Sequence, residues 1–168
     1  MIALPPTDNS QHFRDPKVWQ DGNEYYIVVG GQDKKGLGRA ITYKSTDLLH
    51  WDYLGPIAVS QGADIEGYTW ECPDLFSLGR EDVLVCSPQG IVAKGKEYLN
   101  CYQTGYFIGK MDYRNNQFKH GAFQELDHGH DFYAAQTMLK PDNRRIVLAG
   151  SICGTLTFPN RLTAGVGH

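Results

Sequence analysis

Three stretches of this chain obey one grammar, and that repeat constrains the fold more than any other feature. Asp15-Pro16-Lys17-Val18-Trp19 is followed by the turn Asp21-Gly22-Asn23 and by an apolar run over 25–29 that closes on Gly30-Gly31. Cys72-Pro73-Asp74-Leu75-Phe76 is followed by Gly79-Arg80-Glu81 and then Val83-Leu84-Val85-Cys86. Ala135-Gln136-Thr137-Met138-Leu139 is followed by Pro141-Asp142-Asn143 and then Ile146-Val147-Leu148-Ala149, closing on Gly150. Each reads as a short strand, a tight turn and a buried apolar strand. The turn residues tolerate positive φ or bond their own backbone. Pro16 and Pro73 are 57 positions apart, and Pro73 and Gln136 are 63 apart.

Two more strand-like runs complete each of the first two units. They are Arg39-Ala40-Ile41-Thr42-Tyr43 and Trp51-Asp52-Tyr53-Leu54, then Tyr98-Leu99-Asn100-Cys101-Tyr102 and Tyr106-Phe107-Ile108-Gly109-Lys110. About four antiparallel strands per unit make one blade of a β-propeller. The chain is therefore expected to be all-β, with units over about 13–58, 70–112 and 131–160. A β-sandwich of similar strand count is the plainer alternative. The only helical turn suggested is Ser45-Thr46-Asp47-Leu48-Leu49-His50, capped by Ser45 or Thr46. Closed propellers usually have four to eight blades, and 168 residues supply two to three. A fragment of that kind presents sheet edges and apolar faces, so a homo-oligomer joined through exposed blade edges is expected.

Composition removes other classes. Sixteen Lys and Arg against nineteen Asp and Glu give a net charge of −3, which provides no basic face for nucleic acid. With 41% apolar residues the chain is not a disordered tail. No run approaches the ~18 apolar residues of a membrane helix. The start, Met1-Ile2-Ala3-Leu4-Pro5-Pro6, lacks the pattern of a secretion signal. Cys72, Cys86, Cys101 and Cys153 show no C-x-x-C spacing, which points to reduced thiols and a cytoplasmic protein. Nothing calls for a cofactor. His128 and His130, followed by Asp131, are two residues apart, but no third or fourth metal ligand is evident. The glycine-rich stretch 30–39 lacks the Gly-Lys-Ser/Thr ending of a phosphate loop and reads as a solvated hairpin.

In a propeller, chemistry sits where the first strands of the blades converge. Those strands begin at Arg14-Asp15-Pro16, Trp70-Glu71-Cys72-Pro73 and Asp131-Phe132-Tyr133-Ala134. Asp15 and Glu71 occupy nearly equivalent positions. Two carboxyl groups across a funnel suit glycosidic cleavage, one donating a proton to the leaving oxygen and the other ionised. Each acid taken alone reads equally as turn chemistry. Trp19, Tyr68, Trp70 and Tyr133 read either as platforms for a sugar face or as core.

These residues resemble a known family. His12-Phe13-Arg14-Asp15-Pro16-Lys17-Val18-Trp19 resembles the Arg-Asp-Pro motif of glycoside hydrolase family 32, and Trp70-Glu71-Cys72-Pro73-Asp74-Leu75-Phe76 resembles its Glu-Cys motif. The stretch from Asp127 through His128-Gly129-His130-Asp131-Phe132-Tyr133-Ala134 to Thr137 is similar to its Asp-Phe-Tyr-Ala segment. The resemblance runs from about Pro5 to about Gly150, and is greatest to the bacterial sucrose-6-phosphate hydrolase branch. It implies a five-bladed propeller that hydrolyses β-fructofuranosides, such as sucrose or its 6-phosphate, with retention. It also implies that Glu71 is the general acid/base and that Asp15 holds sugar hydroxyls and stabilises the transition state. Arg14, Asp131 and Tyr133 would line the sugar site, and Cys72 would tune the acid; Trp70 joins the candidate sugar-binding residues on its own type and place rather than by the resemblance. The family's nucleophile is an Asp in a Trp-Met-Asn-Asp-Pro-Asn-Gly motif, which these 168 residues do not contain. The first blade and the C-terminal β-sandwich are likewise expected to be absent. A chain inactive alone follows from this reading. A non-catalytic sugar-binding or self-assembling module is the other.

Overall fold

In the computed structural model, residue 2 and residues 4–129 and 132–151 are described. They form three antiparallel sheets. The first has the order β1 (Asn9–Asp21), β2 (Glu24–Asp33), β3 (Gly38–Ser45) and β4 (Asp52–Val59). One helical turn, α1 (Ala63–Glu66), leads to the second sheet. This comprises β5 (Thr69–Leu78), β6 (Glu81–Gln89), β7 (Gly105–Asp112) and β8 (Gln117–His120), with β9 (Gln124–Glu125) also paired to β7. The third consists of β10 (Phe132–Leu139) and β11 (Arg145–Ser151). The strand β5 contacts both β1 and β10, so the first strands of the three sheets are neighbours. This is part of a five-bladed β-propeller.

The repeat seen in the sequence is, in structure, a repeated β-bulge. Arg14 pairs with Gly30 and Lys17 with Val28, so Asp15 and Pro16 together face one residue. Glu71 pairs with Ser87 and Asp74 with Val85, so Cys72 and Pro73 do the same. Tyr133 pairs with Gly150 and Gln136 with Leu148, which gives that place to Ala134 and Ala135. The first bulge residue has positive φ each time: 58° at Asp15, 48° at Cys72 and 56° at Ala134. Such backbone normally belongs to glycine, and each exception costs on the order of 1–3 kcal/mol. Proline suits the second position because the extra residue needs no ladder donor.

Alternation along the strands sorts the core into layers. Val28 and Ala40 face Trp70, Leu84, Cys86 and Phe107 of the second sheet. Ile27, Val29, Ile41 and Tyr43 lie in a separate cluster. Val83 and Val85 form another with Ala135 of the third sheet. Trp70 is fully buried, and two glycines make room for it. A Cβ on Gly30 would strike the Trp70 carbonyl, and one on Gly38 would strike its indole ring.

Two sequence expectations change here. Residues 98–102 are not a strand; the third strand of the second sheet is β7 and the fourth is β8, so this unit runs to His120 rather than Lys110 or Asp112. Tyr98 instead has a φ of 57° and packs beside Phe123, while Tyr102 joins no strand and forms an isolated bridge to Gln89. Residues 45–50 form no helix. The Ser45 hydroxyl accepts from the amides of Asp47 and Leu48, and Leu48 then turns to a φ of 64°, which ends any helical path. The expected end of the third unit, 152–160, lies outside the described residues.

Replacing Trp70 with alanine empties the layer between the first two sheets. Trp70→Ala is expected to lower the unfolding free energy by about 3–5 kcal/mol, measured by urea denaturation. A loss below ~1 kcal/mol would mean that the indole is not core.

Candidate active site

The bulge fixes which side chains meet. Arg14, Glu71 and Tyr133 occupy the same register in the three sheets, immediately before the bulge. Arg14 Nη1 lies 3.0 Å from Glu71 Oε1. The Tyr133 hydroxyl donates to Glu71 Oε2 at 2.6 Å. Glu71 is therefore gripped from both neighbouring sheets, and its side chain is only 12% exposed. Its near partners are a guanidinium and a phenol.

Asp15 corresponds in register to Cys72, not to Glu71. Its Oδ2 accepts from the Cys72 amide at 3.1 Å and from Cys72 Sγ at 3.5 Å. The positive φ of both residues turns one bulge towards the next. Burial first, then the negative charge of Asp15, push the Cys72 thiol up to about 12, with Glu71 adding to the effect. Both carboxylates thus act on one sulfur. The Tyr133 hydroxyl is also pushed well up, by burial and then by its bond to Glu71.

A second tier lies one turn of the pleat below. Lys17 Nζ is 3.3 Å from Asp74 Oδ2 and donates to the Thr137 carbonyl at 2.7 Å. Asp74 is buried and also accepts from the Thr137 amide and hydroxyl, both at 2.8 Å. This tier ties the same three strands together beneath the carboxylates.

The candidates named from sequence divide. Arg14, Asp15, Glu71, Cys72 and Tyr133 converge. Trp70 does not line the site: it has no exposed surface, its Nε1 donates to the Glu66 carbonyl at 2.6 Å, and its ring packs on Phe107. The alternation that turns Glu71 towards Arg14 turns Trp70 into the core. Trp19 stacks on Tyr26 and bonds Tyr113, towards the far end of β1. Tyr68 stands beside the site, bonding Gln89 and meeting the His12 ring edge-on. Asp131 and His130 lie outside the described residues, and His128 pairs with Glu125 at 3.2 Å.

Three neighbours escaped the sequence reading. Gln89 Nε2 donates to the Tyr133 oxygen at 3.2 Å. His12 Nδ1 lies 3.3 Å from Arg14 Nη2. The Tyr102 ring rests 5.5 Å from that of Tyr133. Only the pairing of Thr69 with Gln89 brings that glutamine here, and no local spacing announces it.

Residues 1–152 match the model of the glycosyl hydrolases family 32 N-terminal domain. The chain belongs to glycosyl hydrolase family 32. Curated relatives include a sucrose-6-phosphate hydrolase of Bacillus subtilis, 49% identical over 151 residues, covering 89% of this chain and 32% of that protein. Among solved structures, a Bombyx mori family 32 β-fructofuranosidase superposes with a TM-score of 0.79 at 46% identity, over 85% of this chain and 30% of its own. A sucrose-6-phosphate hydrolase from Lactobacillus gasseri gives a TM-score of 0.81 at 33% identity, over 94% of this chain and 33% of its own. The chain thus spans about a third of the length of the family 32 relatives it matches.

The thiol provides a direct check on this geometry. A raised folded pKa favours folding below the ordinary thiol value of about 8.5, and that contribution is lost as pH climbs towards the folded value. Cys72 is expected to resist iodoacetamide at pH 8 in the folded chain and to react in urea, followed by peptide mass spectrometry. Asp15→Asn removes the neighbouring charge and should speed labelling of Cys72 in the folded chain. Fast labelling of the unaltered chain would contradict the placement of Cys72 against Asp15.

Proposed function

We propose that this chain supplies the acid/base wall of a β-fructofuranosidase site that cleaves sucrose or sucrose 6-phosphate. The observation that carries the reading is the Glu71 carboxylate, nearly buried and held by Arg14 and Tyr133 from the two adjoining sheets. Glu71 protonates the leaving-group oxygen and then, as a carboxylate, takes a proton from the attacking water. Asp15 holds sugar hydroxyls and faces the positive charge that develops at the anomeric carbon, with Arg14 beside it. Both substrates are supported by the matched relatives, one named a sucrose-6-phosphate hydrolase and one, a variant of the Bombyx mori β-fructofuranosidase, solved in complex with sucrose.

Retention requires a second carboxylate as nucleophile, and the family's Asp-bearing motif is not among these 168 residues. The chain by itself should therefore release fructose at a negligible rate, because groups that act as a unit do not substitute for one another. Supplying a segment of a family 32 relative that carries the motif is expected to restore hydrolysis. Glu71→Gln should then lower the rate by about 10²–10⁴-fold. Ordinary turnover by the chain alone, or restored turnover that survives Glu71→Gln, would contradict the proposal.

Self-association is part of the same proposal. An open groove of about 360 Å³ on the first sheet is lined by Ile2, Phe13, Ile27, Val29 and Trp51, and a second copy would cover it. Light scattering at micromolar concentration should give at least a dimer, and a monomeric mass would contradict this. Cytoplasmic placement is likewise proposed, supported by Cys72 and Cys86 being free thiols. No helix among the described residues is long and apolar enough to cross a membrane.

A further inference from the structure

A directed chain of hydrogen bonds ends on Glu71. The Tyr68 hydroxyl donates to Gln89 Oε1 at 2.7 Å, Gln89 Nε2 donates to the Tyr133 oxygen at 3.2 Å, and the Tyr133 hydroxyl donates to Glu71 Oε2 at 2.6 Å. The outer members are held by backbone. The Tyr68 amide donates to the Gln89 carbonyl at 2.8 Å, and Gln32 Nε2 from the first sheet donates to the Tyr68 carbonyl at 2.9 Å. Tyr102 bridges to Gln89 through backbone and rests against the Tyr133 ring.

The direction of this chain matters. A carboxamide has one accepting end and one donating end. With Oε1 committed to Tyr68, Gln89 presents its amide NH2 to Tyr133, so the phenol oxygen accepts and its single proton goes to Glu71. The reverse amide would take that proton from Glu71. A distance of 2.6 Å suits a charge-assisted O–H···O⁻ bond.

We infer that Gln89 and Tyr68 are positioning residues that lock Tyr133 as a donor to Glu71 Oε2, so that the proton delivered to the leaving group sits on Oε1, whose other lone pair accepts from Arg14 Nη1 at 3.0 Å. This rests on the reading of Glu71 as the acid/base. As the glycosidic C–O bond breaks, its electron pair stays with the leaving oxygen, which takes the Oε1 proton. The family's carboxylate nucleophile supplies the pair for the new bond at the anomeric carbon, and Glu71 becomes the carboxylate that Tyr133 already faces.

The test uses the 168-residue chain with tyrosine labelled at 13Cζ, and the Tyr133 resonance is assigned by its loss in Tyr133→Phe. That resonance is expected to move as pH is lowered, and Glu71→Gln should abolish the movement. Gln89→Leu should cut its amplitude by about twofold or more, because the phenol proton is then free to turn away. Tyr68→Phe removes one hydroxyl from a partly exposed ring, so it decides the matter if Gln89→Leu fails to fold, and it too should reduce the amplitude. Unchanged amplitude in the folded variants, or no movement in the unaltered chain, overturns the inference. In the restored assay, Gln89→Leu should lower kcat about tenfold with KM kept within about twofold. An inert assay beside an intact NMR response would remove the glycosidase reading while leaving the directed chain standing.

Discussion

At one register in each of three successive sheets, two residues of the first strand face a single residue of the second, and the site depends on that mismatch. Without it, strict alternation would carry one face of each first strand unbroken along its length. The extra residue re-aims the chain between the carboxylate tier and the tier below. It brings Arg14, Glu71 and Tyr133 together above the bulge, and Lys17, Asp74 and Thr137 together below it. Positive φ at Asp15, Cys72 and Ala134 is the conformational cost. Backbone strain of this kind persists only where the surroundings over-determine it. Here the surroundings are two layers of cross-sheet bonds.

The same arrangement separates packing from chemistry along a few consecutive residues. Trp70 turns into the space left by Gly30 and Gly38, Glu71 turns to Arg14 and Tyr133, and Cys72 turns to Asp15. One strand therefore joins the core between two sheets directly to the acid. The Cys72 thiol, pushed up to about 12, stays neutral beside two carboxylates, so it adds no third negative charge.

Much of this was legible in the sequence because it is local. Turn residues at Gly22, Gly79 and Asn143, each with positive φ, marked the hairpins. The apolar runs marked the second strands, and the Asp-Pro and Cys-Pro pairs marked the bulges. What failed was long-range. Residues 98–102 carry strand-forming aromatics, yet Tyr98 is spent on Phe123 and the ladder resumes only at Gly105. In the third copy the bulge begins at Ala134, one residue before the repeat pattern places it, because Ala134 and Ala135 lack the proline that signals the bulge elsewhere. Trp70 reads from sequence either as a sugar platform or as core, and the strand register decides for core. Gln89 and His12 stand at the site only through pairing with distant strands, and a single sequence does not display such pairing.

The central claim is that Glu71 is held across sheet boundaries by partners at its own register. A double-mutant cycle on folding stability measures that most directly, using Glu71→Ala, Tyr133→Phe and the pair. Hydrogen bonds to charged groups contribute about 1.5–3 kcal/mol, so a coupling free energy above ~1 kcal/mol is predicted between these positions. Additivity within about 0.3 kcal/mol would mean that the phenol and the carboxylate do not meet in solution.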